Sequence, residues 1–351
     1  MADLTATPAG RLFVFGGISL DTMVRVQALP RPDDKIWAEH LGDFPGGMGA
    51  NVAANYAHLG GHAHLFGAVG DDESGRYCLD VLASAGVDTS GVRRRPGATF
   101  KTFAMIGPDG EKAMVLLAGT YPPAPGDRPA LDPQPGRDAV HIAPGPSAPP
   151  VGQVQDWRRR GIRTSIDIEP AMLNAGLAVQ DWLAASSLVF CGAQAAGMIG
   201  SAGDPHAALM TGGADAAVIT RGRDGAGLAT RDGRTFTAPG LPTDAVDTTG
   251  AGDAFAGAFL WGLSRGWSLD DCLGLANRVG GNTAGVFGSR LSRERISAIR
   301  DDFHPAGSTP RSPAAVVSGA APTSVTTSSV TPTSAKRAMP FTTPSRSPAS
   351  E

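Results

Sequence analysis

Lysine is scarce in this 351-residue chain. Lys35, Lys101, Lys112 and Lys336 are the only four, and none follows a glycine, which excludes a Walker-type phosphate loop with its Gly-Lys-Ser/Thr core. Cysteine is scarcer still. Cys78, Cys191 and Cys272 are odd in number and widely separated, with no Cys-x-x-Cys pair, so neither a disulfide framework nor a zinc site is expected and a reducing cytoplasm is the expected location. No apolar run reaches the ~18 residues of a membrane span, and the opening MADLTATPAG puts an acid where a signal peptide has a basic start. Neither membrane insertion nor export is expected. An excess of one charge is also missing: the formal net charge is −3 with mixed signs, so no nucleic acid or anionic membrane is expected as partner. A small molecule suits the chain better.

What is present is core-forming sequence, 42% hydrophobic and long enough for one large α/β domain or a domain with a smaller appendage. Short β-like runs recur: RLFVFGG, HAHLFGAVG, TFAMIG, AVHIAP, RTSIDI, SLVFCG and AAVITRG. Helix-like segments separate most of them, including residues 51–59, 74–85 and 269–279. This alternation predicts βαβ units, a mostly parallel sheet with helices on both faces, and a ligand at the carboxyl ends of the strands. Two early segments, about 21–45 and 98–119, break the alternation with β-rich excursions and turns at Pro30, Pro32 and the Pro-Asp-Gly of 108–110. Together they predict a small flap over the strand ends. Residues 306–351 are rich in Ser, Thr, Pro and Ala, and their composition predicts disorder because they bury too little apolar surface to offset chain entropy.

The most informative stretch is VDTTGAGDAFAGAFLWGL, residues 246–263. Thr248, Thr249, Gly250, Ala251 and Gly252 form a turn with little side-chain bulk, and the residues from Ala254 to Leu263 are apolar on nearly all sides. The pattern predicts a buried helix opening from a glycine-rich loop, whose free N–H groups and dipole would hold a phosphate. Asp253 falls in the first turn. It is either a cap for the helix or a general base that takes a proton from a hydroxyl attacking a phosphoryl group, with the neighbouring N–H groups as anion hole. The segment GGMGANVA at 46–53 lacks the third glycine of a dinucleotide fingerprint, so Rossmann binding is not expected.

Two long segments in the right order, PGGMGANVAANYAHLGGHAHLFGAVGDDESGR (45–76) and DTTGAGDAFAGAF (247–259), resemble the two signatures of the ribokinase, or pfkB, family of carbohydrate kinases. The likeness runs over about residues 11–300 and includes GGISLD and VITRGRDGAG. It implies a ribokinase-like three-layer α/β sandwich with a mostly parallel central sheet and a small β lid, ATP as donor, Mg²⁺, and a sugar as acceptor. By motif position Asp253 would be the base, and Gly250, Ala251 and Gly252 the anion hole. Asp21, Gly46, Gly47 and Asn51 match positions that hold sugar hydroxyls. Thr220, Gly222, Gly225 and Asn277 match the nucleotide side, and Asp247 and Thr249 match residues lining a monovalent-cation site, which makes K⁺ a candidate cofactor. Structural roles stay open beside these: Asp21 could cap a turn, Gly46 and Gly47 could serve a tight turn, and Asn51 could be a helix N-cap.

One departure and three side questions complete the sequence. Relatives carry an Asn-x-x-Glu segment whose Glu organises hydrated Mg²⁺; the matching CGAQ here offers Cys191 and Gln194, a neutral amide, with Asp167 or Glu169 as compensating carboxylates. This keeps a catalytically weak sugar-binding protein open as an alternative, alongside a nucleoside kinase, which needs an apolar slot under the lid, and a phosphosugar kinase, which needs a cationic one. Lys35 or Lys101 under the lid would supply that cation. His58, His62 and His64 flank a Gly-Gly pair that ends a helix, which should scatter the rings rather than gather a metal. An exposed lid edge strand would favour a homodimer.

Overall fold

Strand residues point alternately to opposite faces, so a strand that is apolar at every position must be covered on both sides. The computed structural model describes residues 10–108, 111–119, 131–145, 147–200 and 203–305, and the turn residues Asp109 and Gly110 and the compositionally biased segment from 306 lie outside them. The strands are β1 (Arg11–Phe15), β2 (Ser19–Val26), β3 (Ala38–Gly46), β4 (His62–Gly70), β5 (Asp88–Arg95), β6 (Lys101–Ile106), β7 (Lys112–Leu117), β8 (Ala139–Ile142), β9 (Arg163–Ile168), β10 (Leu188–Gly192), β11 (Ala216–Thr220), β12 (Ala226–Thr230) and β13 (Thr235–Ala238). The helices are α1 (Met48–His58), α2 (Glu73–Ser84), α3 (Val151–Arg159), α4 (Pro170–Asn174), α5 (Val179–Ala185), α6 (Ala193–Ile199), α7 (Pro205–Thr211), α8 (Ala251–Ser264), α9 (Leu269–Thr283) and α10 (Arg293–Asp301).

Nine strands form the main sheet in the order β13-β12-β11-β10-β9-β8-β1-β4-β5. All neighbours from β11 to β5 are parallel, and β12 and β13 add an antiparallel edge. In β10, Leu188 and Phe190 pack into the cluster under α1, α8 and α9, whereas Val189 and Cys191 join the cluster on the other face. β1 does the same with Leu12 and Val14 against Phe13 and Phe15. The result is the expected sandwich, helices on both faces of a mostly parallel sheet.

The remaining four strands, β3-β2-β6-β7, form a separate small sheet built from the two excursions. It is the lid. Strand order in the main sheet reverses between β1 and β8, since the chain runs from β1 outward to β4 and β5 and then returns to β8 on the other side. A crevice opens at such a reversal, outside the carboxyl ends of the strands.

Two sequence expectations need correction. Asp21 does not cap a turn; it is the third residue of lid strand β2, because the chain turns at Gly16–Ile18 and re-enters a strand at Ser19. Asn51 is not an N-cap. The cap position of α1 is Gly47, with φ +93 and no capping side chain, which leaves the Asn51 amide free for other partners inside the first turns. The buried helix opens from the glycine loop with Asp253 in its first turn, as the sequence pattern predicts: it begins at Ala251, with Gly250 at φ +73 as its left-handed cap.

Candidate active site

A cavity of about 1030 Å³ lies at the carboxyl ends of the strands. Its walls come from Gly17 and Ile18 after β1, Ala143 after β8, Asp167 to Ala171 around the end of β9, Cys191 of β10 and Thr220 of β11. Thr248, Thr249, Gly250, Gly252 and Asp253 close one side, and Phe100, Thr102, Lys112, Met114 and Leu116 reach in from the lid region. The topological switch and the glycine loop therefore address one space.

Helix α8 explains why Asp253 is there. Its residues from Asp253 to Leu263 are all buried, packed against α1, α9 and β10, with the Phe259 ring edge-on to Phe190 at 5.5 Å. At Gly257 a Cβ would stand 2.9 Å from the Val52 carbonyl oxygen, so α1 and α8 approach more closely than side chains would permit. That approach lets Asn51 Nδ2 donate to Asp253 Oδ2 at 2.7 Å across 202 residues of sequence. The other end of the amide is fixed as well: Asn51 Oδ1 accepts from Ser289 Oγ at 2.9 Å and from Arg290 Nε at 2.8 Å. With its oxygen turned to two donors, Asn51 can offer Asp253 only its NH₂.

The Asp253 side chain is 7% exposed, and its carboxyl is pushed up to about 7. Burial is the main cause; the Asn51 hydrogen bond opposes it, and the nearby carboxylate of Glu169 adds to it. Asp167 is raised well above its ordinary range by burial and by the charges of Asp253 and Glu169, and Glu169 is raised by burial. Among the described residues neither Asp167 nor Glu169 makes an ion pair. Four carboxylates, those of Asp21, Asp167, Glu169 and Asp253, thus line the cavity, and the buried Arg290 acts on Asp21 and Asp253.

The predicted site residues are not all brought together. Asp21, Gly47, Asn51, Thr220, Thr249, Gly250, Gly252 and Asp253 line the cavity; Gly46, Gly222, Gly225, Asp247, Ala251 and Asn277 do not. Gly46 faces Asp21, where a Cβ would stand 2.1 Å from Oδ2. Asp21 is 6% exposed, accepts from Ser19 Oγ at 2.8 Å, and is raised by burial despite that bond. The Ala251 N–H is directed to the Thr248 carbonyl at 3.3 Å, which leaves the rest of the first turn of α8 to meet an anion. Asn277 Nδ2 donates to the Pro239 carbonyl at 2.6 Å and ties α9 to the loop after β13. Lys35, Lys101 and Gln194 lie outside the cavity wall. His64 pairs with Asp88 at 2.9 Å, and among the described residues no cluster of His, Cys, Asp or Glu has the arrangement of a metal site.

Sequence reasoning missed Lys112, Ser289 and Arg290. Lys112 Nζ donates to Asp247 Oδ1 and to Thr249 Oγ1, each at 2.6 Å, across more than a hundred residues. Burial would raise Asp247, but the hydrogen bonds from Lys112 and Thr249 outweigh it and hold the carboxyl below its ordinary value. Nothing local in GEKAM or FGSRL marks these contacts, since all their partners are distant in sequence.

The profile of the pfkB family carbohydrate kinase matches residues 10–122 and 160–295. The ATP-dependent ribose-1-phosphate kinase of Halopiger xanaduensis is 30% identical over 80% of this chain and 94% of its own length. The cytidine kinase of Thermococcus kodakarensis is 32% identical over 75% of this chain and 92% of its own. A crystal structure of ribokinase from Thermotoga maritima superposes with a TM-score of 0.71 at 18% identity, covering 84% of this chain and all of that one, and shares its fold. Fold, cavity and both halves of the sequence agree: the chain belongs to the pfkB family of carbohydrate kinases, a family of ATP-using kinases.

Proposed function

We propose that the chain transfers the γ-phosphoryl group of ATP to a hydroxyl of a neutral riboside, with Asp253 as general base. The observation that carries this is the placement of a buried carboxyl, pushed up to about 7, on the first turn of α8 beside the glycine loop. A base with that proton affinity is half-ionised near neutrality and can accept a proton as the hydroxyl oxygen attacks. Gly250, Gly252 and the first-turn N–H groups of α8 receive the charge that develops on the phosphoryl oxygens. Asp21, Gly47 and Asn51 orient the acceptor, and the loop of Thr220, Gly222 and Gly225 with Asn277 carries the nucleotide. Lid closure excludes water that would otherwise hydrolyse ATP, and positioning with electrostatics supplies most of the acceleration.

The acceptor class follows from the lid side of the cavity. Phe100, Met114 and Leu116, with Met48, make an apolar ceiling. Among the described residues the one lysine or arginine on the wall is Lys112, which is already held by Asp247 and Thr249. An apolar ceiling without a free cation suits a nucleoside-like aglycone better than a sugar phosphate. The donor set of Asp167 and Glu169, hard oxygens without an ion pair, fits a hydrated Mg²⁺ associated with the nucleotide; the ion would neutralise phosphate charge there and make these carboxylates easier to ionise. Three free, buried thiols suit a cytoplasmic enzyme, and no described helix is long and apolar enough to cross a membrane. The exposed Val115 and Leu117 on lid edge strand β7 support pairing of two lids in a homodimer.

The test is ADP formation from ATP and Mg²⁺ against a panel of nucleosides, free pentoses and hexoses, and phosphosugars. Nucleosides or other ribosides with an apolar aglycone should give the highest kcat/KM. A preference for phosphosugars, with nucleosides inert, would contradict the neutral-riboside reading while leaving the kinase assignment in place.

A further inference from the structure

The residues that the family resemblance places around a monovalent cation, Asp247 and Thr249, already hold a fixed charge on their side-chain oxygens. Lys112 Nζ sits 2.6 Å from Asp247 Oδ1 and 2.6 Å from Thr249 Oγ1. The remaining capacity of Asp247 is also used: the Thr249 N–H and hydroxyl both reach Oδ1, at 3.0 and 2.7 Å, and the Gly288 N–H reaches Oδ2 at 3.2 Å. The Asp247 side chain has no exposure, whereas Lys112 opens onto the cavity. A potassium ion added to the same oxygens would lie at hydrogen-bond distance from an ammonium of equal charge. The residues present do not fit both.

We propose that the Lys112 ammonium is the built-in counterpart of that cation, so that the enzyme works without K⁺ and the charge is delivered to the anion-hole loop by the lid. An ammonium and a potassium ion carry the same charge and both take oxygen donors, so one can stand for the other electrostatically. The difference is the tether. Lys112 opens strand β7, the edge of the lid sheet, while Asp247 and Thr249 lead directly into Gly250 and α8. A free ion would remain with the loop whatever the lid does. A charge on β7 reaches the loop only when the lid is down, so the loop that receives the phosphoryl charge is braced when water is excluded and released when product leaves. This inference rests on the kinase reading of the glycine loop.

Acceptor-dependent turnover, measured with ATP as its Tris salt while tetramethylammonium is exchanged for K⁺ at constant ionic strength, tests it together with thermal melting in the same two salts. The parent should show no response to K⁺ in either rate or melting temperature. Lys112→Met should lose about tenfold or more in kcat, recover part of it in K⁺, and melt higher in K⁺ than in tetramethylammonium. Lys112→Arg, which keeps the charge, should stay insensitive to K⁺. Strong K⁺ activation of the parent, or a Lys112→Met variant that responds to K⁺ in neither rate nor melting, would overturn the proposal. If the parent shows no acceptor-dependent turnover at all, the kinase reading fails, and the melting comparison still decides whether Lys112 occupies a cation site.

Discussion

At the scale of single residues, the physics of Asp253 makes opposite demands on stability and on catalysis. Its folded-state carboxyl near 7 lies above the ordinary 3.8, so the folded chain holds the proton more tightly than the unfolded chain. The sign follows: stability falls as pH rises from about 3.8 to about 7 and levels off above that window. Asn at this position has no such slope. Asp253→Asn is therefore expected to melt above the parent well on the alkaline side of 7, with the gap closing as pH falls toward 4; a variant that melts lower at alkaline pH would show that the buried charge is not a burden. Two glycines of the loop should separate folding from function. At Gly250 a Cβ would lie 2.4 Å from Ser289 Cβ in a backbone at φ +73, so Gly250→Ala should cost about 1–2 kcal/mol for the backbone alone and more for the clash. At Gly252 nothing lies within 4 Å of an added Cβ, which would enter the cavity. Gly252→Ala should keep the parental melting temperature and lose turnover, and equal melting losses in the two variants would refute the distinction.

At the scale of elements, the α1–α8 contact is what brings Asn51 within hydrogen-bond distance of Asp253. Gly257 meets the Val52 carbonyl and the Asn55 side chain, and any larger residue must push the helices apart. Gly257→Val should lower stability by about 1–3 kcal/mol and, by lengthening the Asn51–Asp253 hydrogen bond, lower kcat more than it raises KM; an unchanged kcat would show that the spacing does not matter to the chemistry. Much of this architecture was legible in the sequence. Seven apolar runs became strands, and GAGDAFAGAF announced both the glycine turn and the buried helix because local chemistry specifies them. What was not legible has a common cause. DTSGVRRR in β5 carries no period-2 apolar pattern, and β12 and the edge strand β13 are short strands whose pairing comes from the sheet. The Lys112 latch and the Ser289, Arg290, Asn51, Asp253 chain join segments that meet only once the sandwich has formed, so no window of sequence contains them.

At the scale of the whole molecule, the lid and the main sheet divide the labour. The main body brings Asp253 and the glycine loop before α8, with Asp167 and Glu169 around the end of β9, to the cavity, and the lid brings Asp21, Met114, Leu116 and Lys112. The proposed pairing of two lids rests on Val115 and Leu117, exposed on the edge strand of the four-stranded sheet. Val115→Lys should shift the mass measured by light scattering from dimer to monomer; a parent that is monomeric throughout would remove the pairing proposal. The proposed chemistry turns on Asp253, and its most direct measurement is the pH dependence of single-turnover phosphoryl transfer at saturating ATP and acceptor, in the parent and in Asp253→Asn. The parent rate should rise with pH on a single ionisation near 7 and then level off, and the variant should be about 10²–10⁴-fold slower without that ionisation. A variant that transfers at the parental rate, or that keeps the same pH profile, would contradict the assignment of Asp253 as the base.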